Sequence, residues 1–513
     1  MGMLKCSHLF TDNMVLQRRK SIKVWGIAYD GTKVAVQING ITMETVASKH
    51  EWMAILPPME AGGPYTLEVS EENGDKLQFR NVMVGEVWLA GGQSNMEFEL
   101  QNSLGGKEVL KNIKGTNVRF FNVKRNAYMD EFFFHDERNN GWTEAAPESA
   151  ASWSAVGFHF AKKLSEATGV TVGVIGCNLG GTSASAWMSR KILESDPDTR
   201  TYIEDYDKAM EGKTYEQYCK ELDEYMAWYK DWQPKIEAFY NTHPDAGWNE
   251  ALEFAGVSKW PGPLGPKSEY RPGGLYETMF RRVVPYTLAG FIYYQGESDE
   301  HRPKTYYKLL CNLISLWRSD YEDDKLPFIC VQLPMHKNKG AEDSDKWCFI
   351  REAQMQVHQN VANTGIAVAI DLGVFNNIHP ANKKPVGERL ALQAMYHVYS
   401  IGSAEEAYGP VYKSCDYCSG GILLYFDYAK DGFVLKDGIA GGFYVAGSNK
   451  VYHKAEVEIR GSSIYVSSPD VNDPIYARYL WTDYSEVYIY GHNGLPLAPF
   501  RTSVNDEENH IIS

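Results

Sequence analysis

Residues 82–96 read VMVGEVWLAGGQSNM, an apolar run that ends in two glycines and a serine. The run predicts a buried strand, and the glycine pair predicts a turn at its carboxyl end. In a mostly parallel α/β sheet, ligands bind outside the carboxyl ends of the strands, where glycines let backbone N–H groups approach an oxyanion closely. Ser94 is therefore a candidate nucleophile. Met96 stands where the G-x-S-x-G elbow has its second glycine, so the stretch is not that motif.

Two further apolar runs end in polar turns that contain glycine. Residues 171–177 lead into NLGGTS, which contains Gly180 and Gly181, and residues 288–294 lead into QGESD, which begins with Gln295. Hydrolysis of an ester needs preorganised donors where negative charge develops on the carbonyl oxygen. The three turns together predict an oxyanion hole.

A serine also needs a base, because its hydroxyl is a poor nucleophile until a neighbour accepts the proton. Residues 378–383 read IHPANK, follow the apolar run 365–370 and precede a helix predicted over 386–399. His379 in this loop is the candidate base. His301, shortly after the third turn, is the rival histidine and is predicted to face solvent.

Four motifs, GGQSNM, NLGGT, YQGESD and IHPANK, in this order resemble the sialate O-acetylesterase family within the SGNH hydrolases. The resemblance spans nearly the whole chain, with FTDNMVLQR at 10–18, REAQ at 351–354 and GLPLAPFRT at 494–502. It implies that Ser94 is the nucleophile and donates its own N–H to the oxyanion hole, and that His379 is the base. Gly180, or alternatively Gly181, and Gln295 are implied as the other donors. Further candidates for contact with the substrate are Gln93, Asn95, Trp187 and Glu297.

One departure concerns the third member of the triad. SGNH enzymes commonly place an aspartate three residues before the histidine, and some sialate-esterase relatives place it two before, where this chain has Asn376 and Asn377. An asparagine can accept a hydrogen bond from the imidazole but offers it no negative charge. The sequence predicts a Ser–His pair, and the group that orients the imidazole is left open between a backbone carbonyl, Asn377 and Asp371.

The periodicity predicts three parts. Short alternating strands over 1–83 indicate a β-sandwich domain, and alternating strands and helices over 84–404 indicate an α/β catalytic domain. Short strands over 405–513 indicate a C-terminal β domain. The predicted fold class is thus α/β, an SGNH-hydrolase-like parallel sheet flanked by helices, with N-terminal and C-terminal β domains.

A helical insertion is predicted at about 191–270, between the second and third turns. Aromatic residues recur there at intervals of three and four, which predicts one aromatic face on a helix that ends at Pro234. Packing explains such a face better than a sugar platform does. The loops of the insertion are nevertheless placed to form a wall of the pocket, and Trp187, Trp248 and Trp260 are the aromatic residues to consider there, because sugar rings stack on such side chains.

Composition excludes several classes of function. The formal net charge of −15 argues against a nucleic-acid partner. No apolar run approaches the roughly 18 residues of a membrane span, and no membrane partner is predicted. The start lacks an apolar segment, which predicts a cytoplasmic protein, or a secreted or periplasmic one if residues were removed. The C-x-x-C at Cys415 and Cys418 lacks a second pair of ligands, so neither a metal nor another cofactor is predicted. The sequence indicates no oligomeric state.

The leading function is a serine carbohydrate O-acetylesterase that acts on O-acetylated sialic acids through an acetyl-Ser94 intermediate. Acetylated xylan or mannan fragments are the alternative substrates, and a catalytically weakened carbohydrate-binding protein is the alternative class. A peptidase or lipase is disfavoured because no long apolar cap is present. A sialate carboxylate needs a donor such as arginine, and the sequence leaves the choice open between Arg190, Arg271 and Arg351.

Overall fold

The computed structural model describes residues 3–72, 74–243 and 246–506. Its N-terminal part is built from short strands, as the alternating pattern predicts. The turn between the fourth and fifth strands is Asn39-Gly40, and both residues have positive φ (48° and 77°), which suits a two-residue hairpin. The first eight strands are β1 (Lys5–Cys6), β2 (Val15–Gln17), β3 (Ile22–Ile27), β4 (Lys33–Ile38), β5 (Ile41–Val46), β6 (Glu51–Leu56), β7 (Gly62–Glu71) and β8 (Lys76–Gly92).

Strand β8 joins the N-terminal part to the central sheet. Its first half pairs antiparallel with β7 and its second half lies among parallel strands, and all of these belong to one mixed sheet of eleven strands. The predicted boundary at residue 83 thus falls inside one continuous strand. The further strands of the central sheet are β9 (Val118–Asn122), β10 (Thr143–Glu144), β11 (Val172–Asn178), β12 (Gly290–Tyr294), β13 (Phe328–Gln332) and β14 (Thr364–Val368).

Helices alternate with these strands and flank the sheet. For example, α5 packs on β9 and β11, and α12 packs on β13 and β14. The α-helices are α1 (Ser94–Glu97), α2 (Gly106–Lys111), α3 (Glu131–Arg138), α4 (Pro147–Ala150), α5 (Ala155–Thr168), α6 (Arg190–Glu194), α7 (Pro197–Met210), α8 (Tyr215–Thr242), α9 (Trp248–Ala255), α10 (Arg281–Val283), α11 (Tyr306–Asp320), α12 (Lys346–Asn360), α13 (Lys384–His397) and α14 (Ala404–Ala407).

The order of the central strands places β8 between β11 and β12. The sheet runs β10-β9-β11-β8-β12-β13-β14, and β9, β11, β8, β12, β13 and β14 pair in parallel. From β8 the chain forms β9 and β10 on one side, returns inward to β11 beside β8, and then crosses to the other side, where β12, β13 and β14 follow outward. Such a reversal of strand order opens a crevice at the carboxyl ends, where ligands bind in α/β sheets.

The C-terminal part consists of additional short strands in three small sheets. Arg501 on the last strand forms a bidentate ion pair with Glu352 on α12, with N–O distances of 2.7 and 2.8 Å. This pair links the C-terminal sheets to the central part. The strands are β15 (Val411–Cys418), β16 (Gly421–Asp427), β17 (Val434–Leu435), β18 (Phe443–Ala446), β19 (His453–Lys454), β20 (Glu456–Arg460), β21 (Ser463–Ser467), β22 (Tyr476–Tyr479), β23 (Ile489–Tyr490) and β24 (Phe500–Arg501).

The fold class is confirmed in its coarse features: a mixed α/β chain with a central sheet flanked by helices and with additional β sheets. The central sheet is mixed, because β7 and β10 pair antiparallel with their neighbours. The bounds of the three domains stay a prediction, and residues 507–513 of the predicted C-terminal domain lie outside the described residues.

The helical insertion departs from the prediction at Pro234. Helix α8 does not end there but continues to Thr242. A proline inside a helix removes one backbone hydrogen bond. The apolar residues on either side of Pro234 offset this loss, because Trp232, Ile236 and Phe239 pack together with α9 in a buried cluster.

Among the described residues, no helix is long and apolar enough to span a bilayer. The same residues contain no group of three or more histidine, cysteine, aspartate or glutamate side chains that could hold a metal ion. Cys415 and Cys418 lie on β15 as free thiols.

We expect Gly92→Ala to destabilise the protein by about 2 kcal/mol or more, because Gly92 has φ +136° and a Cβ there would lie 2.1 Å from the Tyr294 carbonyl oxygen. Gly115→Ala is the matched control, since its φ is +80° but no atom lies within 4 Å of the new Cβ. Calorimetric unfolding should show a clearly larger loss for Gly92→Ala. Equal losses would contradict the close packing at the end of β8.

Candidate active site

The order of the strands brings the turns after β8, β11 and β12 together. The Gln93 N–H donates to the Tyr294 carbonyl at 3.0 Å, and the Leu179 N–H donates to the Gly92 carbonyl at 3.1 Å. Gly180 lies directly against the nucleophile turn, since a Cβ on it would be 3.2 Å from the Ser94 Cβ. The structure thus brings Ser94 and Gly180 side by side.

His379 reaches Ser94 from a strand farther along the sheet. Its Nε2 lies 2.8 Å from the Ser94 Oγ, a distance at which the hydroxyl donates to a neutral imidazole. The loop after β14 is held over the serine by Asn95, whose Nδ2 donates to the Ile378 carbonyl at 3.0 Å. His301, the rival histidine, is exposed and bonds the Ser298 carbonyl.

The surroundings of His379 favour its neutral form. His379 is exposed as a residue, but the protein atoms around the imidazole, with added repulsion from Lys383 and His336, lower its pKa to about 4. A base must be unprotonated to accept a proton. The His379 imidazole is therefore ready to accept the Ser94 proton at neutral pH.

No carboxylate orients the imidazole among the described residues. Asp371, one of the three groups left open for this role, binds the Arg389 guanidinium with both oxygens, at 2.6 and 2.9 Å, and forms no hydrogen bond with His379. The Asn377 Oδ1 accepts from the backbone N–H of His379 at 2.9 Å and not from the ring. The His379 Nδ1 forms no hydrogen bond with a described residue, so none of the three groups left open by the sequence, the backbone carbonyl included, is bonded to the ring.

Two backbone donors lie at the nucleophile. The Ser94 N–H is in the first turn of α1, where helices leave N–H groups without partners, and it bonds no described residue. The Gly180 N–H lies in the turn beside Ser94 and donates to the Glu97 Oε2 at 2.5 Å. Gly181, with φ +71°, follows it in the turn. Two backbone N–H groups therefore lie beside the Ser94 side chain, and one of them is bonded to a carboxylate.

Gln295 is not a free donor in the structure. Its Nε2 donates to the Asp299 Oδ2 at 2.6 Å and to the Thr182 carbonyl at 3.2 Å, which uses both hydrogens. Gln295 and Asp299 are both buried. Its amide therefore holds the turn after β11 in place. The sequence predicts this amide as a donor to the oxyanion, but in the structure both of its hydrogens are used elsewhere.

A buried polar network lies beneath Ser94. Asn95 donates to the Glu297 Oε1 at 2.6 Å and accepts from the Lys383 ammonium. Burial lowers the pKa of Lys383 to about 7 against the opposing field of Glu297, and burial raises the pKa of Glu297. Lys383 was not among the predicted site residues, although it ends the IHPANK motif. Glu97 was not among them either, although it follows Ser94 by about one helical turn.

The predicted substrate contacts are mostly buried. Trp187 is fully buried, so it has no face for a sugar ring, and Gln93, Asn95 and Glu297 form internal hydrogen bonds. An exposed aromatic does border the site: Trp260, 53% exposed, bonds Tyr270 and packs beside Gly181. The insertion thus supplies one wall next to the second glycine turn.

Comparison with known proteins gives one consistent picture. The family model described as carbohydrate esterase, sialic acid-specific acetylesterase matches residues 262–396. Sialate O-acetylesterase from Mus musculus is 26% identical over 458 residues, covering 82% of this chain and 78% of that protein. Sialate O-acetylesterase from Homo sapiens is 23% identical over 423 residues, covering 76% and 70%.

A solved structure extends the similarity to the whole fold. A carbohydrate acetylesterase from Xanthomonas citri superposes with a TM-score of 0.77 at 28% identity and covers 98% of this chain and 99% of that one. The predicted resemblance to the sialate O-acetylesterase family is confirmed. At the level of the family, these similarities support a carbohydrate acetylesterase, which is a hydrolase of O-acetylated carbohydrates.

We expect esterase activity of the protein to persist well below pH 6 if His379 is the base, because its imidazole is neutral above the lowered pKa of about 4 and protonated below it. The acid limb of kcat/KM for a chromogenic acetate ester measures this. Lys383→Met should move the limb to higher pH by removing a neighbouring positive charge, whereas Lys384→Met, which removes an exposed lysine, should not. A wild-type limb at the ordinary histidine value would contradict the lowered pKa.

We expect Asn95→Ala to lower kcat by about 10- to 100-fold, because the Ile378 carbonyl loses the donor that holds the histidine loop. Asp371→Asn is the control on the same loop and should cost less than about tenfold, since its partner is Arg389. Steady-state kinetics on variants with native circular dichroism decides the matter. A larger loss for Asp371→Asn would restore it as the triad acid.

Proposed function

We propose that the protein is a serine carbohydrate O-acetylesterase of the SGNH type that removes acetyl groups from O-acetylated sialic acids. The observation that carries the proposal is the 2.8 Å contact between the Ser94 Oγ and the His379 Nε2, beside the free Ser94 N–H and the Gly180 N–H. A nucleophile, a base and backbone donors at one place are the components of acyl transfer.

The first step forms the acetyl-enzyme. The Ser94 oxygen attacks the acetyl carbonyl carbon, and the His379 Nε2 accepts the hydroxyl proton as the bond forms. The carbonyl oxygen gains the negative charge and is stabilised by the N–H groups of Ser94 and Gly180. When the tetrahedral intermediate collapses, the sugar oxygen leaves and takes the proton from the imidazolium.

The second step releases acetate. Water enters the place of the sugar alcohol, gives its proton to the His379 Nε2 and attacks the acetyl-Ser94 carbonyl carbon. Collapse of the second tetrahedral intermediate breaks the bond to the Ser94 Oγ, which recovers the proton from the histidine. No step requires a charge on Asp371, which stays paired with Arg389.

The choice of sugar rests on the family and on the shape of the site. The family model is described as a sialic acid-specific acetylesterase, and the mammalian relatives are named sialate O-acetylesterase. Trp260 offers an exposed aromatic face beside Gly181, which suits a sugar ring. The contact between Ser94 and His379 favours an enzyme over a binding protein without catalysis.

We expect Ser94→Ala to lower the release of acetate from an O-acetylated sialic acid by at least about 10⁴-fold. The hydroxyl is half-buried at the edge of the sheet, so the thermal unfolding midpoint should stay nearly unchanged. His379→Ala should reduce activity similarly. Intact-protein mass spectrometry during turnover should detect one acetyl group on wild type and none on Ser94→Ala.

A panel of substrates tests the choice of sugar. Acetate release is compared between O-acetylated sialic acids and acetylated xylo- and manno-oligosaccharides at equal concentration. Preference for the sialic acids supports the proposal. Preference for the neutral oligosaccharides overturns the substrate while the esterase stands, and retained turnover in Ser94→Ala overturns the nucleophile.

A further inference from the structure

One carboxylate links the oxyanion hole to an arginine. The Glu97 Oε2 accepts from the Gly180 N–H at 2.5 Å, and its Oε1 lies 3.1 Å from the Arg125 Nη1. The side chains of Glu97 and Arg125 are 26% and 33% exposed, so both lie at the mouth of the site. Glu97 therefore occupies the donor that an acetyl carbonyl oxygen would need.

A neutral ester competes poorly with this occupant. Hydrogen bonds to a charged acceptor are shorter and about twice as strong as those to a neutral one. The Gly180 N–H becomes available only when Glu97 moves. By contrast, Gln295 is held by groups that are themselves buried, so Gly180 is the donor that a ligand can free.

The contacts of Arg125 allow its partner, the Glu97 carboxylate, to be replaced by another carboxylate. Its remaining contacts are to neutral atoms of one residue: Nε to the Asn178 carbonyl at 3.3 Å and Nη2 to the Asn178 Oδ1 at 3.5 Å. Among the described residues, Glu97 is its one carboxylate partner. Arginine binds planar carboxylates through paired N–H donors, so a ligand carboxylate matches this guanidinium.

The arginines considered from the sequence are less suited. Arg190 is paired with both Glu194 and Asp207 on the insertion. Arg271 is paired with Glu277, and Arg351 is buried. Arg125 is held by Asn178, the last residue of β11, which also leads into the turn with Gly180. Arg125 and the Gly180 N–H thus lie at the same place, the carboxyl end of β11.

We propose that Arg125 binds the carboxylate of an anionic sugar substrate in exchange for Glu97, and that this exchange frees the Gly180 N–H for the acetyl carbonyl oxygen. The inference rests on the proposed esterase function and assigns the specificity of the same site. Two carboxylates repel each other at one guanidinium, so arrival of the substrate drives Glu97 toward solvent. The substrate thereby completes the oxyanion hole that its own acetyl group uses.

The test compares one substrate with and without its charge. The pair is an O-acetylated N-acetylneuraminic acid and its carboxylate methyl ester, and the readout is the ratio of their kcat/KM values for acetate release. In the wild type we expect a ratio of at least about ten in favour of the acid, as for a lost charged hydrogen bond. A ratio near one in the wild type overturns the inference.

Variants separate specificity from structural damage. Arg125→Gln should bring the ratio toward one, and Arg125→Lys should retain part of it. Glu97→Gln should raise turnover of the methyl ester, because a neutral amide holds the Gly180 N–H less tightly. Arg190→Gln, an exposed arginine on the insertion, is the control and should keep the wild-type ratio. An unchanged ratio in Arg125→Gln, or slower methyl-ester turnover in Glu97→Gln, overturns the exchange.

Binding supplies a readout that does not depend on turnover. In Ser94→Ala protein, calorimetry should show that N-acetylneuraminic acid binds at least about tenfold more weakly after Arg125→Gln is added. Equal binding overturns the assignment of Arg125. The inference and the proposed function are contradicted by different results. Equal hydrolysis of the acid and the methyl ester contradicts only the inference. Absence of Ser94-dependent acetate release from every substrate contradicts the proposed function.

Discussion

The parallel pairing of β8 with β11 on one side and β12 on the other is the constraint on which the site depends. Each strand ends at the same edge, so the turns that carry Ser94, Gly180 and Gln295 meet there whatever lies between them in sequence. Gly92 makes the meeting possible, because its backbone passes too close to the Tyr294 carbonyl to accept a Cβ.

Beneath this edge, a buried hydrogen-bond network connects the turn that carries Ser94 to the neighbouring loops. Asn95 bonds the Ile378 carbonyl, Glu297 and Lys383, and so connects three loops through one side chain. Buried charged groups are costly unless they are paired and hydrogen-bonded. Here the network holds His379, in the loop after β14, at hydrogen-bond distance from Ser94, which follows β8 three places away in the sheet.

Charge at the mouth of the site differs in kind from charge below it. The Lys383 and Glu297 side chains are buried, and burial shifts the pKa of each in the direction that favours its neutral form. The Glu97 and Arg125 side chains are partly exposed and form an ion pair at the mouth of the site. Exposed pairs contribute little to stability and exchange partners readily. Rearrangement on substrate binding is therefore expected at Glu97 and Arg125, over a base that stays fixed.

The sequence by itself determined the strands, the glycine turns and the Ser94 and His379 pair, because apolar runs and turn residues act locally. It did not determine which donors are free. From the sequence alone, Gln295 is a candidate oxyanion donor because it follows an apolar strand. Only the fold shows that its amide donates to Asp299 and Thr182 instead. Likewise, Pro234 predicts the end of a helix, but α8 continues past it because its apolar residues pack against α9. Partners distant in sequence decide hydrogen bonding and burial, so the roles of Glu97, Arg125 and Lys383 emerge only in the tertiary structure.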